Sequence, residues 1–326
     1  MRSWFIAVAL TIPLFATAYA TDIAGKGVSL TFALASQGGE ILTARDDFVK
    51  RLSRFDRAAR LKTGKETPEQ VYLRFVGENV RDWSSDEKAL VESAIAFVRP
   101  RINELSLPWP DTIYLVKTTG NEEGGAAYTR GNAIVFPASE LVPGRKESLK
   151  KLLSHELFHI LTRKNPVLKD QLYAAIGFHG CGEIAYPSSL KPVKITNPDA
   201  PRNDHCIRLR VAGMPVWAIP VLYSRAPKYD EKQGGEFFDY LQFEFLLLET
   251  GNATDPSTAT YDDEHIRLVG PDDVSGFYEQ VGRNTDYIIH PEEILADNFA
   301  LLVLGMKNVP SPKVLHDMKE ILEQAR

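Results

Sequence analysis

Residues 146–164, KESLKKLLSHELFHILTRK, carry Leu149, Leu152, Leu153, Leu157, Ile160 and Leu161 at helical spacings, and Asn165-Pro166 closes the pattern. The stretch predicts one helix with a broad apolar face. Within it, His155-Glu156-Leu157-Phe158-His159 sets two imidazoles four positions apart. Four residues make about one helical turn, so both rings face one way and can grip a single metal ion, with Glu156 projecting beside them. A catalytic ion of this kind takes three protein ligands and keeps a fourth place for water, so another His, Asp or Glu must come from elsewhere.

The residues just downstream do not provide it: Thr162 and Asn165 stand where HExxHxxGxxH would place glycine and a third histidine. A better source is His290-Pro291-Glu292-Glu293-Ile294-Leu295-Ala296-Asp297-Asn298, where proline opens a helix and Glu293 and Asp297 lie four apart on one face. Ile294, Leu295, Ala296, Phe299, Ala300, Leu301, Leu302 and Val303 make this helix apolar, and carboxylates at the start of a buried helix need partners such as a metal. Glu292 also lies at that start and is the rival third ligand.

With these two motifs the chain resembles the gluzincin metallopeptidases, the thermolysin-like branch of the zincins, which carry HExxH on one helix and a glutamate ligand on a second. The resemblance implies that His155, His159 and Glu293 bind zinc, that Glu156 is the catalytic base, and that Asp297 accepts the N–H of a ligand imidazole, that of His155. It covers the two motifs and the strand-to-helix order before the first. About 130 residues lie between His159 and Glu293, a wider interval than in the compact heat-shock-type members. It also implies an edge strand that pairs with extended substrate, for which residues 133–136 and 126–129 are the candidates. The fold expected is α+β and zincin-like, with a small mixed or antiparallel sheet, an HExxH helix and a second ligand-bearing helix.

Around the motifs, phenylalanine, leucine and alanine at 48, 52, 55 and 59 predict a helix over 46–62, and Thr67-Pro68-Glu69-Gln70 opens another to about Val80. Ser84 to Glu87 repeats the capping-box signal ahead of Leu90, Ala94, Phe97 and Val98. Residues 112–117 and 126–136 read as strands, 181–201 as a long loop, 207–211 with 216–223 as a hairpin, and 236–249 as a strand. Helices return over 272–281, 291–304 and 312–324. The division expected is a leader at 1–20, a helical N-terminal subdomain at 21–108, and a zincin-like domain at 109–326.

The leader is read from Arg2, the apolar run from Trp4 to Leu10, Pro13, and Ala18-Tyr19-Ala20, the layout of a cleaved secretory signal. A secreted or periplasmic protein is the expectation, with no stable membrane insertion after cleavage, because nothing later approaches the ~20 apolar residues of a span. In that compartment Cys181 and Cys206, the two cysteines in 326 residues, read as one disulfide. Thirty-eight basic against 43 acidic residues give a net charge of -5 along the chain, which excludes a basic nucleic-acid surface.

The reading of function is a zinc metallopeptidase acting on a peptide or protein substrate through zinc-activated water and Glu156. The alternative is a catalytically inactive zincin-fold protein that holds a peptide or protein partner; retention of Glu156 argues against it, since metal binding alone does not need the base. Tyr287, His290, His265 and His205 are candidate donors to the developing oxyanion. Asn197-Pro198-Asp199-Ala200-Pro201 is a turn by composition.

Overall fold

The structure is a computed structural model and describes residues 20–22, 28–105, 107–250 and 255–325. The chain opens with β1 (Ala20–Asp22), β2 (Ser29–Phe32) and four helices, α1 (Ala35–Thr43), α2 (Asp47–Arg51), α3 (Arg54–Arg60) and α4 (Glu69–Asn79). Next come β3 (Val80–Arg81), the long α5 (Ser85–Leu105), β4 (Thr112–Thr118), β5 (Tyr128–Arg130) and β6 (Ala133–Pro137). The motif helix α6 (Lys146–Lys164) leads into α7 (Pro166–Ala175) and then into β7 (Phe178–Gly180), β8 (His205–Val211), β9 (Met214–Ser224), β10 (Leu241–Leu248) and β11 (Leu268–Val269). Three helices finish the chain, α8 (Phe277–Val281), α9 (Pro291–Val303) and α10 (Pro312–Gln324). The class is α+β.

Among the described residues two sheets are formed. The first is mixed, in the order β1-β2-β4-β6-β5: β2, β4 and β6 run parallel, while β1, β5 and the short β3 pair antiparallel to their neighbours. The second is antiparallel throughout, in the order β11-β10-β9-β8-β7. Strand β6 shows why the first sheet needs cover on both faces. Ile134 and Phe136 point into the core shared with α5 and α6, while Ala133 and Val135 point into a second core with α1 and α4. In β10, Phe245 and Leu247 join the first core, whereas Leu246 and Leu248 pack near the disulfide.

Both sides of the expected division at 108 feed one core. Leu30 of β2 and Val91, Ile95 and Val98 of α5 cluster with Leu153, Leu157 and Phe158 of α6. The leader reading rests on residues 1–19, outside the described residues, and Ala20 pairs with Thr31 in β1. Among the described residues no helix is long and apolar enough to cross a membrane. Cys181 and Cys206 form the disulfide, tying the end of β7 to β8.

Three predicted elements are shorter or broken in the fold. The helix over 46–62 divides at Leu52-Ser53, because Ser53 caps a new start: its hydroxyl accepts from Asp56 N and its own N–H donates to Asp56 Oδ2, both at 2.9 Å. The C-terminal helix from 272 begins only at Phe277, since Gly276 takes φ +88°. In 236–249 the strand starts at Leu241, after a tight turn through Phe237–Tyr240.

Candidate metal centre

Two helices build the site. α6 presents His155, Glu156 and His159, with His159 and Glu156 almost wholly buried. α9 crosses it, Phe299 packing on Phe158 at 5.5 Å between ring centroids. Pro291 occupies the first turn of α9, where a missing N–H costs nothing, and His290 Nδ1 accepts from Glu292 N at 3.1 Å. Glu292 and Glu293 follow in that first turn, where the positive end of the helix dipole favours carboxylates.

The structure brings His155, His159 and Glu293 together, with one ligating atom from each lying within 4.8 Å of the others. Glu293 Oε2 stands 3.1 Å from His155 Nε2 and 3.6 Å from His159 Nε2. Two ligands at about 2.0–2.2 Å from a tetrahedral ion stand roughly 3.3–3.5 Å apart, so this spacing fits a metal of that geometry. The orphaned atoms agree: His159 Nε2 and Glu156 Oε2 are buried with no hydrogen-bond partner among the described residues. These residues could hold a metal ion.

Each imidazole is held from behind through Nδ1. His155 Nδ1 meets Asp297 Oδ1 at 3.3 Å, and Asp297 is itself held by Thr285 Oγ1 and by Lys151 Nζ at 3.0 Å. His159 Nδ1 meets Glu292 Oε1 at 3.1 Å; Glu292 also accepts from the Thr162 hydroxyl and, at 2.6 Å, from Tyr173 OH. A carboxylate accepting from Nδ1 favours the tautomer in which Nε2 is free to bind a metal. Glu292, the rival ligand in the sequence, thus backs His159.

Charge is crowded here. Burial favours a neutral Glu293, but the His159 and His155 imidazoles and the Asn197 amide hold its carboxyl down at about 2. Burial, reinforced by Asp199, pushes Glu156 up to about 8. Burial also works against a charged His159, yet Asp199 and Glu293 carry it up to about 9. Glu156, Glu293 and Asp199 crowd the inner side of two imidazoles that Glu292 and Asp297 back from behind, and a divalent cation would offset part of that negative charge.

The remaining candidates divide by position. Tyr287 lies with its ring 6.4 Å from that of His155, the planes 30° apart, and it lines a cleft with Asn197 and Asp199. His290 is spent on the α9 cap, and burial lowers its pKa to about 4. His205 is engaged by Asp204 at 2.6 Å and Asp170 at 3.1 Å, while exposed His265 pairs with Asp262. Of the two candidate substrate strands, β6 is paired on both sides and β5 alone forms the edge.

Sequence reasoning missed Asn197 and Asp199, which it read only as a turn. Asn197 Nδ2 donates to Glu293 Oε1 at 2.6 Å, and ligating atoms of Asp199, Glu156 and His159 lie within 4.8 Å of one another. No periodicity marks them, because they reach the site along a loop. Tyr173 was missed with α7, whose start at Pro166 coincides with the expected stop of α6. Compared with models of known families, with curated proteins and with solved structures, the chain matched none.

Proposed function

We propose that this chain is a secreted or periplasmic zinc-dependent metallopeptidase of the gluzincin type, with His155, His159 and Glu293 as zinc ligands and Glu156 as general base. One observation carries the reading: three ligating atoms within 4.8 Å of one another, with Glu293 Oε2 at 3.1 and 3.6 Å from the two imidazoles, share the site with the buried, unpartnered Oε2 of Glu156. Zinc supplies, when bound, a Lewis acid that polarises the scissile carbonyl and acidifies water to a pKa of roughly 7.

The chain's own residues do the rest. Glu156 accepts the proton of the attacking water and delivers it to the leaving amine. Asp297 and Glu292 fix the tautomer and tilt of the two imidazoles. Tyr287, whose ring stands beside that of His155, is the residue assigned here as donor to the carbonyl oxygen as charge develops. Edge strand β5 is the strand beside which an extended peptide would lie, once the Thr129 N–H is released from Asp199 Oδ1. Export is supported by the leader-like residues 1–20 and by the disulfide.

Elemental analysis and peptide hydrolysis test this together. The expected result is about one zinc per chain in the mature protein and none in Glu293→Ala. In Glu156→Gln the zinc stays, and kcat falls roughly 10²–10⁴-fold. Hydrolysis that survives in Glu156→Gln, or a chain that takes up no zinc, would sink the proposal.

A further inference from the structure

The end of α2, the start of α3 and the loop between β7 and β8 together line an open cleft of about 630 Å³, a volume within the range of small-molecule sites. Its charge runs against that of the chain. Five of the charged side chains lining it are basic, Lys50, Arg51, Arg54, Lys191 and Lys194, and one is acidic, Glu183, whereas the whole chain carries -5. Like charges gathered on the walls of a cleft focus a field into it, here a positive one.

The nearby carboxylates are already engaged. Glu183 Oε2 accepts from Arg51 Nη2 at 2.9 Å, and Asp47 stands between Arg51 at 3.1 Å and Arg202 at 2.7 Å. Buried Asp56 is paired with Arg60 at 2.7 Å and accepts from the Ser53 N–H at 2.9 Å and the Thr196 hydroxyl at 2.8 Å. Arg51 is thus neutralised, but Lys50, Arg54, Lys191 and Lys194 have no carboxylate within 4.0 Å among the described residues.

Lys194 decides what the cleft is for. It is half-buried, its Nζ lies 4.9 Å from the centroid of the Tyr186 ring, and burial holds its pKa below the ordinary lysine value. Both residues are fixed in place: the Ser53 hydroxyl donates to Lys194 O at 2.7 Å, and the Tyr186 hydroxyl donates to Leu222 O at 2.9 Å and accepts from Leu222 N at 2.6 Å. In the same lining, Asn203 Nδ2 is buried with no hydrogen-bond partner among the described residues. An ammonium drawn out of water without a counter-ion and an amide N–H without an acceptor have both lost solvation that a bound anion restores. Lysines meet phosphate oxygens as point charges, and the planar fork of an arginine such as Arg54 matches two of them at once.

We infer that this cleft is a binding site for a small polyvalent phosphate compound, with Lys194 and Asn203 donating to its phosphate oxygens while exposed Lys50, Arg54 and Lys191 draw it in. The site is separate from the metal centre and does not rest on the metallopeptidase reading.

Calorimetric titration of the full mature chain with inorganic pyrophosphate tests it, at an ionic strength of about 0.1 M so that long-range surface attraction is screened. The expected result is saturable binding of one pyrophosphate per chain, weakened roughly tenfold or more in Lys194→Gln. Lys191→Gln, a change at an exposed position, weakens it about two- to fivefold and keeps the test decisive if Lys194→Gln does not fold. Lys319→Gln removes the same charge from the exposed face of α10 and leaves the affinity as it was. Absence of saturable binding, or a loss in Lys319→Gln equal to that in the cleft variants, overturns the site. Affinity unchanged in both cleft variants also overturns it and assigns the pyrophosphate to another place, the metal centre first. Citrate that binds as tightly as pyrophosphate overturns the assignment to phosphate.

Discussion

Glu292 and Glu293 are chain neighbours with different tasks. Successive residues on a helix point about 100° apart, so one carboxylate faces the gap between the two imidazoles while the other turns behind His159. The sequence places both at the start of an apolar helix, but it does not fix the rotation of that helix against α6, and so the choice between them stayed open there. The structure turns the difference into a measurement. Glu292→Ala removes the acceptor of His159 Nδ1 and strands the hydroxyls of Thr162 and Tyr173, so metal affinity should fall roughly 10–100-fold without vanishing, by competition with a chromophoric chelator. Affinity lost as completely as in Glu293→Ala would show that Glu292 is itself a ligand.

At the scale of elements, α6 was legible in full, from Lys146 to Lys164, because its leucines keep one period and its stop is an Asn-Pro pair. The start of α9 was equally plain from Pro291. Helix α1 was not legible. Gly38 and Gly39 lie in its middle and lower its propensity, yet Gly38 is what lets the helix approach the sheet, where an added Cβ would come within 2.8 Å of Val116 Cγ1. The pairing of α6 with α9 holds the two halves of the centre in register, and Phe299 is fully buried at that contact. Phe299→Ala should cost roughly 3–5 kcal/mol in urea unfolding of the metal-free chain. Metal affinity should fall with it, since the ligand helix loses its seat. A full stability loss with unchanged metal affinity would show that the centre tolerates movement between the helices.

Across the whole molecule, the disulfide and the first core do separate work. The core joins residues on both sides of position 108, so helix α5 and strand β2 are part of the scaffold that carries α6. The disulfide closes a sequence separation of 25 around the loop that bears Asn197 and Asp199. Replacing both cysteines by serine should lower stability by roughly 3 kcal/mol on the loop-closure model. Tryptic cleavage after Arg202 should be faster in that variant, because the loop loses its tether. Thermal unfolding and timed proteolysis measure the two effects, and a Tm equal to that of the parent would show that the loop is held by its hydrogen bonds alone.

The sequence by itself determined the α+β class, the helix that carries His155, Glu156 and His159, the helix that carries Glu293 and Asp297, and the cysteine pair, because each is written in local spacing or in residue chemistry that needs no distant partner. Only the tertiary structure decided which glutamate faces the imidazoles, that β5 and not β6 is the edge, and that Asn197 and Asp199 reach the centre. Those outcomes depend on how α6, α9, the sheet and a loop between two cysteines pack against one another. Packing is set by the fit of surfaces far apart in the chain, and no local period records it.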